Sequence, residues 1–250
     1  MTRFRTVTLG VTINHTKSFT PLVILKPQLT ILSTNEIDPC KCCHYSIKSA
    51  YYNPEIYFSA EYAMTEQTFN QAKQLALELL LKDKEKEFHC HVQFVVKVGL
   101  LLAKNHNADA KIIELSCLLH DIGRDHEIGE EDHGDSGARI AEKILEQTEI
   151  SSAEIKIILD CIRFHTKEIP EYTLEQKIVI TADCASKVEY HEAFMLLCKK
   201  QTYQERLTWG KKYLEKGYAL TLFPEYKERI ADRYKTIKNI YDSIPALTRL

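Results

Sequence analysis

His120 and Asp121 stand side by side where an apolar stretch, residues 112–119, comes to an end. A neighbouring imidazole and carboxylate at a helix end can bind one cation together, and an apolar helix behind them fixes where they point. Gly123 follows, and a glycine there is expected to let the chain turn away. His91 shares a helical face with Val95, Val98 and Leu102. Asp183 comes four residues after Val179 and three after Ile180, again on an apolar face. A carboxylate turned inward is costly unless it is paired or bound to metal. Three helices therefore aim a histidine, a His-Asp pair and an aspartate at the interior, and capture of one cation explains all of them. Such nitrogen and carboxylate donors suit Fe, Mn, Co, Ni or Zn without choosing among them.

The order His91, then His120-Asp121-Ile122-Gly123, then Asp183 after Thr181-Ala182 resembles the H…HD…D signature of the HD superfamily, in its HDIG variant. The resemblance covers about residues 67–190. It implies an all-α HD-domain helical bundle and a metal-dependent phosphohydrolase. The substrate would be a small phosphorylated molecule, a nucleotide-like phosphoester or phosphoanhydride, and the cofactor one or two divalent transition-metal ions. His91, His120, Asp121 and Asp183 would hold the first ion. Members resembling the dinuclear diadenosine tetraphosphatases and cyclic-dinucleotide phosphodiesterases place two more histidines where this chain has His133, ahead of Gly137-Ala138, and His165, after Ile162-Arg163-Phe164. Asp121 would then bridge to a second ion held by His133 and His165.

Two cationic side chains are candidates for the phosphate. Arg124 follows the motif directly, and its planar fork suits a phosphate, although a surface role is the plain alternative. Related enzymes often carry lysine there. Lys187 lies one turn after Asp183 on the same face and reaches either a phosphate or a neighbouring carboxylate. Asp121 would orient the attacking water. The same constellation resembles inositol oxygenase, a dinuclear iron enzyme of another reaction class, and a non-catalytic metal- or nucleotide-binding regulatory module is a third reading. Loss of ligands would favour the module, and none of the core ligands is missing. His89 rivals His91, but a valine four residues on favours His91, since Gln93 takes that place after His89. His126 belongs to a polar loop, and His15, His44, His106 and His191 have no supporting pattern. Cys117 and Cys161, one turn before His120 and His165, read as small core hydrophobes.

The elements that must hold these residues are helical from residue 64 onward. Apolar periodicity predicts helices over residues 67–81, 87–104, 109–119 and 136–147, with Asp109 as a cap. Ser151 with Glu154 and Thr173 with Gln176 are capping-box signatures for two more, ending near residues 164 and 188. Residues 192–242 hold about three further helices, with Pro224 in the first turn of the last. These C-terminal helices, from residue 191, are expected to pack on the metal-binding domain of residues 64–190, cover its pocket or form a homodimer interface. Residues 1–63 are richer in proline and in strand-like alternation, as in Val7, Leu9, Val11 and Ile13, with room for two or three short strands. They read as an extension of little weight in the chemistry, Met64 being a plausible start. Cys40-Lys41-Cys42-Cys43-His44 is too tightly spaced for the usual zinc-ligand pairs, no second pair follows, and it reads as chance or incidental metal binding.

The composition, 44% hydrophobic and 27% charged with a net charge of −2, is that of a soluble globular chain. It argues against nucleic acid or an acidic membrane as partner, since no broad basic surface is available. No apolar run reaches the roughly 18 residues that span a bilayer. Eight cysteines scattered through helical patterns point to reduced thiols and a cytoplasmic location.

Overall fold

A computed structural model describes residues 64–244. The expected strands and the cysteine cluster near residue 40 lie outside the described residues. Within them the chain is all helix, with no strand. The helices are α1 (Glu66–Asp83), α2 (Glu85–Glu87), α3 (Gln93–His106), α4 (Ala110–Leu119), α5 (His133–Leu145), α6 (Ser152–Phe164), α7 (Leu174–Glu189), α8 (His191–Met195), α9 (Tyr203–Ala219) and α10 (Pro224–Ser243), with a π-helical turn, Phe88–Val92, before α3.

The caps explain most of the boundaries. Asp109 accepts from the amides of Lys111 and Ile112 and starts α4. Ser151 and Glu154 close a complete capping box on α6, as do Thr173 and Gln176 on α7. Such caps contribute about 1 kcal/mol each by satisfying orphan amides. Pro224 opens α10 at its first turn, where a missing N–H costs nothing. Two expectations are corrected. α5 begins at His133 rather than Ser136, because Asp132 accepts from Gly134 and Asp135 and caps it earlier. The helix expected over residues 87–104 is broken by the π turn, in which the Gln93 amide reaches back to Phe88 O.

The core has two apolar clusters. Leu80, Leu115, Leu119, Leu145, Ile158 and Ile162 belong to one, built from α1, α4, α5 and α6. Val95, Leu102, Ile113, Ile178, Leu214 and Ile230 belong to the other, which brings α3, α7, α9 and α10 together. Each fully buried large side chain contributes about 1.5–3 kcal/mol. α4 and α6 feed both clusters, since Ile113 and Cys117, and likewise Cys161, face the second while their neighbours face the first. Both helices thus lie at the seam, held on two sides, and both end in a candidate ligand. Gly217 brings α9 against α7, since a Cβ there would lie 2.6 Å from Cys184 O.

Candidate metal centre

Five elements deliver the six candidate ligands. His91 comes from the π turn, His120 and Asp121 from the end of α4, His133 from the first turn of α5, His165 from the residue after α6, and Asp183 from the middle of α7. π turns inside helices often occur at functional positions, and this one carries a ligand candidate. His91 is buried whereas His89 is exposed, which separates the two rivals.

Asp121 is the centre of the arrangement. Its Oδ2 lies 3.9 Å from His91 Nε2 and 3.6 Å from His120 Nε2. Its Oδ1 lies 3.5 Å from His133 Nε2 and 3.6 Å from His165 Nε2. One carboxylate therefore turns one oxygen to each of two histidine pairs. His91, His120 and Asp121 form one group able to hold an ion, and Asp121, His133 and His165 a second. Asp183 Oδ1 stands 2.9 Å from His91 Nε2 and 3.5 Å from His120 Nε2. Donor atoms about 2.1 Å from one ion sit roughly 3–3.5 Å from one another, so these spacings are close to those of a filled site.

The backbone presets the rings. Nδ1 of His120 donates to Cys117 O at 2.8 Å, and Nδ1 of His165 to Ile162 O at 2.6 Å. Each histidine bonds the carbonyl three residues earlier, which leaves Nε2 turned to the centre. His91 Nδ1 is 3.5 Å from the Ser186 hydroxyl, which itself donates to Asp183 O. Such second contacts orient metal-binding histidines and set their tautomer. His120 Nε2 is wholly buried and has no hydrogen-bond partner. A bare ring nitrogen facing two carboxylates is costly unless a cation takes its lone pair, so these residues fit a metal ion.

Charge is balanced tightly. Arg124 donates to Asp121 Oδ1 at 2.9 Å, and Lys187 Nζ meets Asp183 Oδ2 at 2.7 Å. Burial pushes the Asp121 carboxyl up, but His120, His165 and Arg124 outweigh it and hold it well below the usual carboxylate range. Asp183 behaves the same way, with Lys187 first among the opposing causes. Burial lowers His91, and lowers His133 to about 4. His120 moves up instead, because the two carboxylates overcome its burial. The neighbouring thiols are not ligand-like, for burial pushes Cys161 and Cys184 up to about 12.

Two cavities open over the cluster. One, about 160 Å³, is lined by His133, His165, Asp183 and Lys216. The other, about 390 Å³, is lined by His91, Asp121, Phe194, Lys199 and Trp209. Arg124, Lys187 and Tyr213 line both. His126 is exposed, and His106 pairs with Glu225 at 2.8 Å.

Several contributors escaped the sequence reading. Lys84 is buried, and its ammonium donates to Arg124 O at 2.5 Å and meets Asp125 Oδ2 at 3.3 Å. It thereby grips the turn after the motif, where Asp125 holds a positive φ of 69°. His191 donates from Nδ1 to Lys187 O at 2.9 Å and accepts from the Tyr241 hydroxyl at 2.7 Å. A lone lysine at a helix end and a lone histidine carry no pattern that would have marked them. Gly123 serves otherwise than expected. Its φ is not among the positive ones, and it is needed because a Cβ would collide with Gly137 N and lie 2.5 Å from His133 O.

Residues 88–187 match the HD domain family. Ribonuclease Y of Borreliella burgdorferi is 31% identical over 99 residues, covering 38% of this chain and 18% of that protein. Ribonuclease Y of Rubrobacter xylanophilus is 35% identical over 98 residues, covering 38% of this chain and 17% of that protein. The chain thus spans less than a fifth of the length of these curated relatives. A solved protein from Lactobacillus plantarum superposes with a TM-score of 0.55 at 17% identity, covering 72% of this chain and 96% of that one. Bacillus subtilis YpgQ in complex with ADP gives a TM-score of 0.52 at 17% identity, covering 72% and 98%. At these identities the structural likeness concerns the fold. No helix among the described residues is long and apolar enough to cross a membrane.

Proposed function

We propose, from the match of residues 88–187 to the HD domain family, that this chain is a metal-dependent phosphohydrolase that cleaves a phosphoester or phosphoanhydride of a nucleotide-like small molecule. The observation that carries the reading is the placing of Arg124 and Lys187 where the two cavities meet over the His/Asp cluster. These two cations pair with Asp121 and Asp183, so ions bound at the cluster would bring positive charge that an anionic substrate matches.

His91, His120, Asp121 and Asp183 would hold one ion, and Asp121, His133 and His165 a second. When bound, such ions polarise a phosphoryl oxygen and lower the pKa of a water. The chain's own residues do the rest. Arg124, with 42% of its side chain exposed, has donors free for a phosphoryl oxygen beyond its bond to Asp121. Lys187 stands beside it, anchored through Asp183 and largely buried, so its charge is little screened. In hydrolysis a water oxygen bonds to phosphorus, the bond to the leaving oxygen breaks, and the water proton passes to the leaving group or to solvent. We assign the chemistry to residues 64–190, the outer pocket wall to α8, α9 and the segments beside them, and no catalytic part to residues 1–63.

The test is phosphate or nucleotide release from a panel of nucleotides, dinucleoside polyphosphates, cyclic dinucleotides and short RNA, with Fe, Mn, Co, Ni and Zn in turn, under anaerobic conditions. Turnover without oxygen is expected on a nucleotide. A reaction that needs oxygen and releases no phosphate would contradict it, as would turnover of RNA alone.

A further inference from the structure

The larger cavity contains a feature that holding metal and phosphate does not require. Phe194 and Trp209 stack with ring centroids 5.0 Å apart and planes within 11°. Tyr213 lies 4.6 Å from Trp209 and 5.5 Å from Phe194. Were Phe194 and Tyr213 on opposite faces of the indole, they would be separated by roughly the sum of their distances to it. They are much closer, so one face of Trp209 is left uncovered by both. Trp209 is half-buried and Phe194 buried, and both line this cavity with Tyr213, while Trp209 also borders a neighbouring cavity with Lys200 and Lys212.

The platform is firmly built. Phe194 sits on α8 and Trp209 on α9, and Gly210 lets the two helices meet. A Cβ on Gly210 would collide with the Tyr241 hydroxyl and lie 2.6 Å from Met195 Sδ. Phe194 also meets the ligand candidate His91 edge-on at 5.3 Å, so the aromatic stack runs from the metal cluster outward. At about 390 Å³ the cavity lies within the ordinary range for a small-molecule site. Its inner end has Arg124 and Lys187, and Glu87 and Glu127 are also in its lining as hydrogen-bond acceptors. The smaller cavity offers Lys216 and, besides the ligand-candidate imidazoles of His133 and His165, no ring but Tyr213. A planar ring carrying N–H donors, joined to phosphate, fits the larger one.

We propose that Trp209, backed by Phe194 and Tyr213, is the stacking platform for the substrate's nucleobase, with the phosphates directed inward to Arg124 and Lys187. This rests on the phosphohydrolase reading and names the part of the substrate that selects it. Trp209 is the single tryptophan of the chain, so its fluorescence reports the platform alone. ADP is expected to quench it saturably, whereas inorganic diphosphate and glucose 6-phosphate leave it unchanged. Calorimetry on Trp209→Leu, which keeps bulk against Phe194, is expected to show ADP binding weakened roughly 5- to 150-fold, the range of one base–aromatic stack. Trp209→Phe restores most of it, and thermal unfolding confirms that both variants fold. Absence of ADP binding, ADP binding without quenching, wild-type affinity in Trp209→Leu, or equal quenching by glucose 6-phosphate would each overturn the assignment. Binding is read apart from turnover. Quenching without hydrolysis of any nucleotide would leave the platform standing and remove the phosphohydrolase reading. Hydrolysis with an unchanged KM in Trp209→Leu would do the reverse.

Discussion

Gly123→Ala tests whether the motif turn is positioned by close backbone contact. The added Cβ would meet Gly137 N and the Ser136 hydroxyl well inside contact distance, and His133 O at 2.5 Å. Two of those atoms are backbone at the start of α5, so no side-chain rotation relieves the clash. Overpacking of this kind costs about 1–3 kcal/mol. The turn must also move off the Ser136 hydroxyl, which donates to Gly123 O at 2.7 Å, and that bond is worth about 0.5–1.5 kcal/mol. The expected loss is about 2–4 kcal/mol, or roughly 5–15 °C in Tm for a chain of this size. Because the displaced residues include His133, Asp121 and His133 would separate, and the ion they share would be lost first. Gly137→Ala supplies the contrast. Its Cβ would meet Ile162 Cγ2 at 3.1 Å, with His120 O next at 3.4 Å, and the gain in helix propensity, about 1 kcal/mol, offsets mild crowding. The assay is thermal unfolding with elemental analysis of both variants. A Gly123→Ala protein that melts within about 2 °C of wild type, with its metal content unchanged, would refute the reasoning.

Lys84→Met keeps the apolar stem but leaves Arg124 O without its buried donor, which costs about 1–3 kcal/mol. Turnover on the best substrate is expected to fall at least about tenfold with little change in KM, and Lys84→Arg to recover most of it; equal turnover in both variants would rule out the positioning role. At the α5 cap, burial pushes the Asp132 carboxyl up, but the α5 amides and Lys167 outweigh it and hold it below its ordinary value. Its folded pKa is depressed, so its extra stabilisation is present above about pH 4 and fades as pH falls through the lower folded value. Asp132→Asn should keep most of the cap and remove that pH-dependent part, while Asp132→Ala should cost about 0.5–2 kcal/mol at neutral pH. Both are read from denaturant midpoints between pH 3 and 7.

The sequence carried the ligand pattern because each candidate but His133 follows an apolar helical phase, and a charged or imidazole group in such a phase demands a reason. Asp109, Ser151 with Glu154, and Thr173 with Gln176 announced their helices because capping is local chemistry. The start of α5 was misread because the apolar phase begins only after Gly137, whereas the cap Asp132 lies in a run of acidic residues that resembles a loop. The π turn was not legible at all, since one wide turn preserves the apolar residues on both sides of it. Lys84, His191 and the Phe194–Trp209–Tyr213 cluster act through tertiary contacts between distant helices. No spacing within one element reports those.

The most direct test of the central claim is metal content per chain by elemental analysis of the wild type beside Asp121→Ala, His133→Ala and His165→Ala. With Asp121 turning one oxygen to each histidine pair, the account predicts two ions in the wild type, none in Asp121→Ala and one in each histidine variant. One ion in the wild type, kept by His133→Ala and His165→Ala with activity intact, would contradict the bridged pair and leave a mononuclear site.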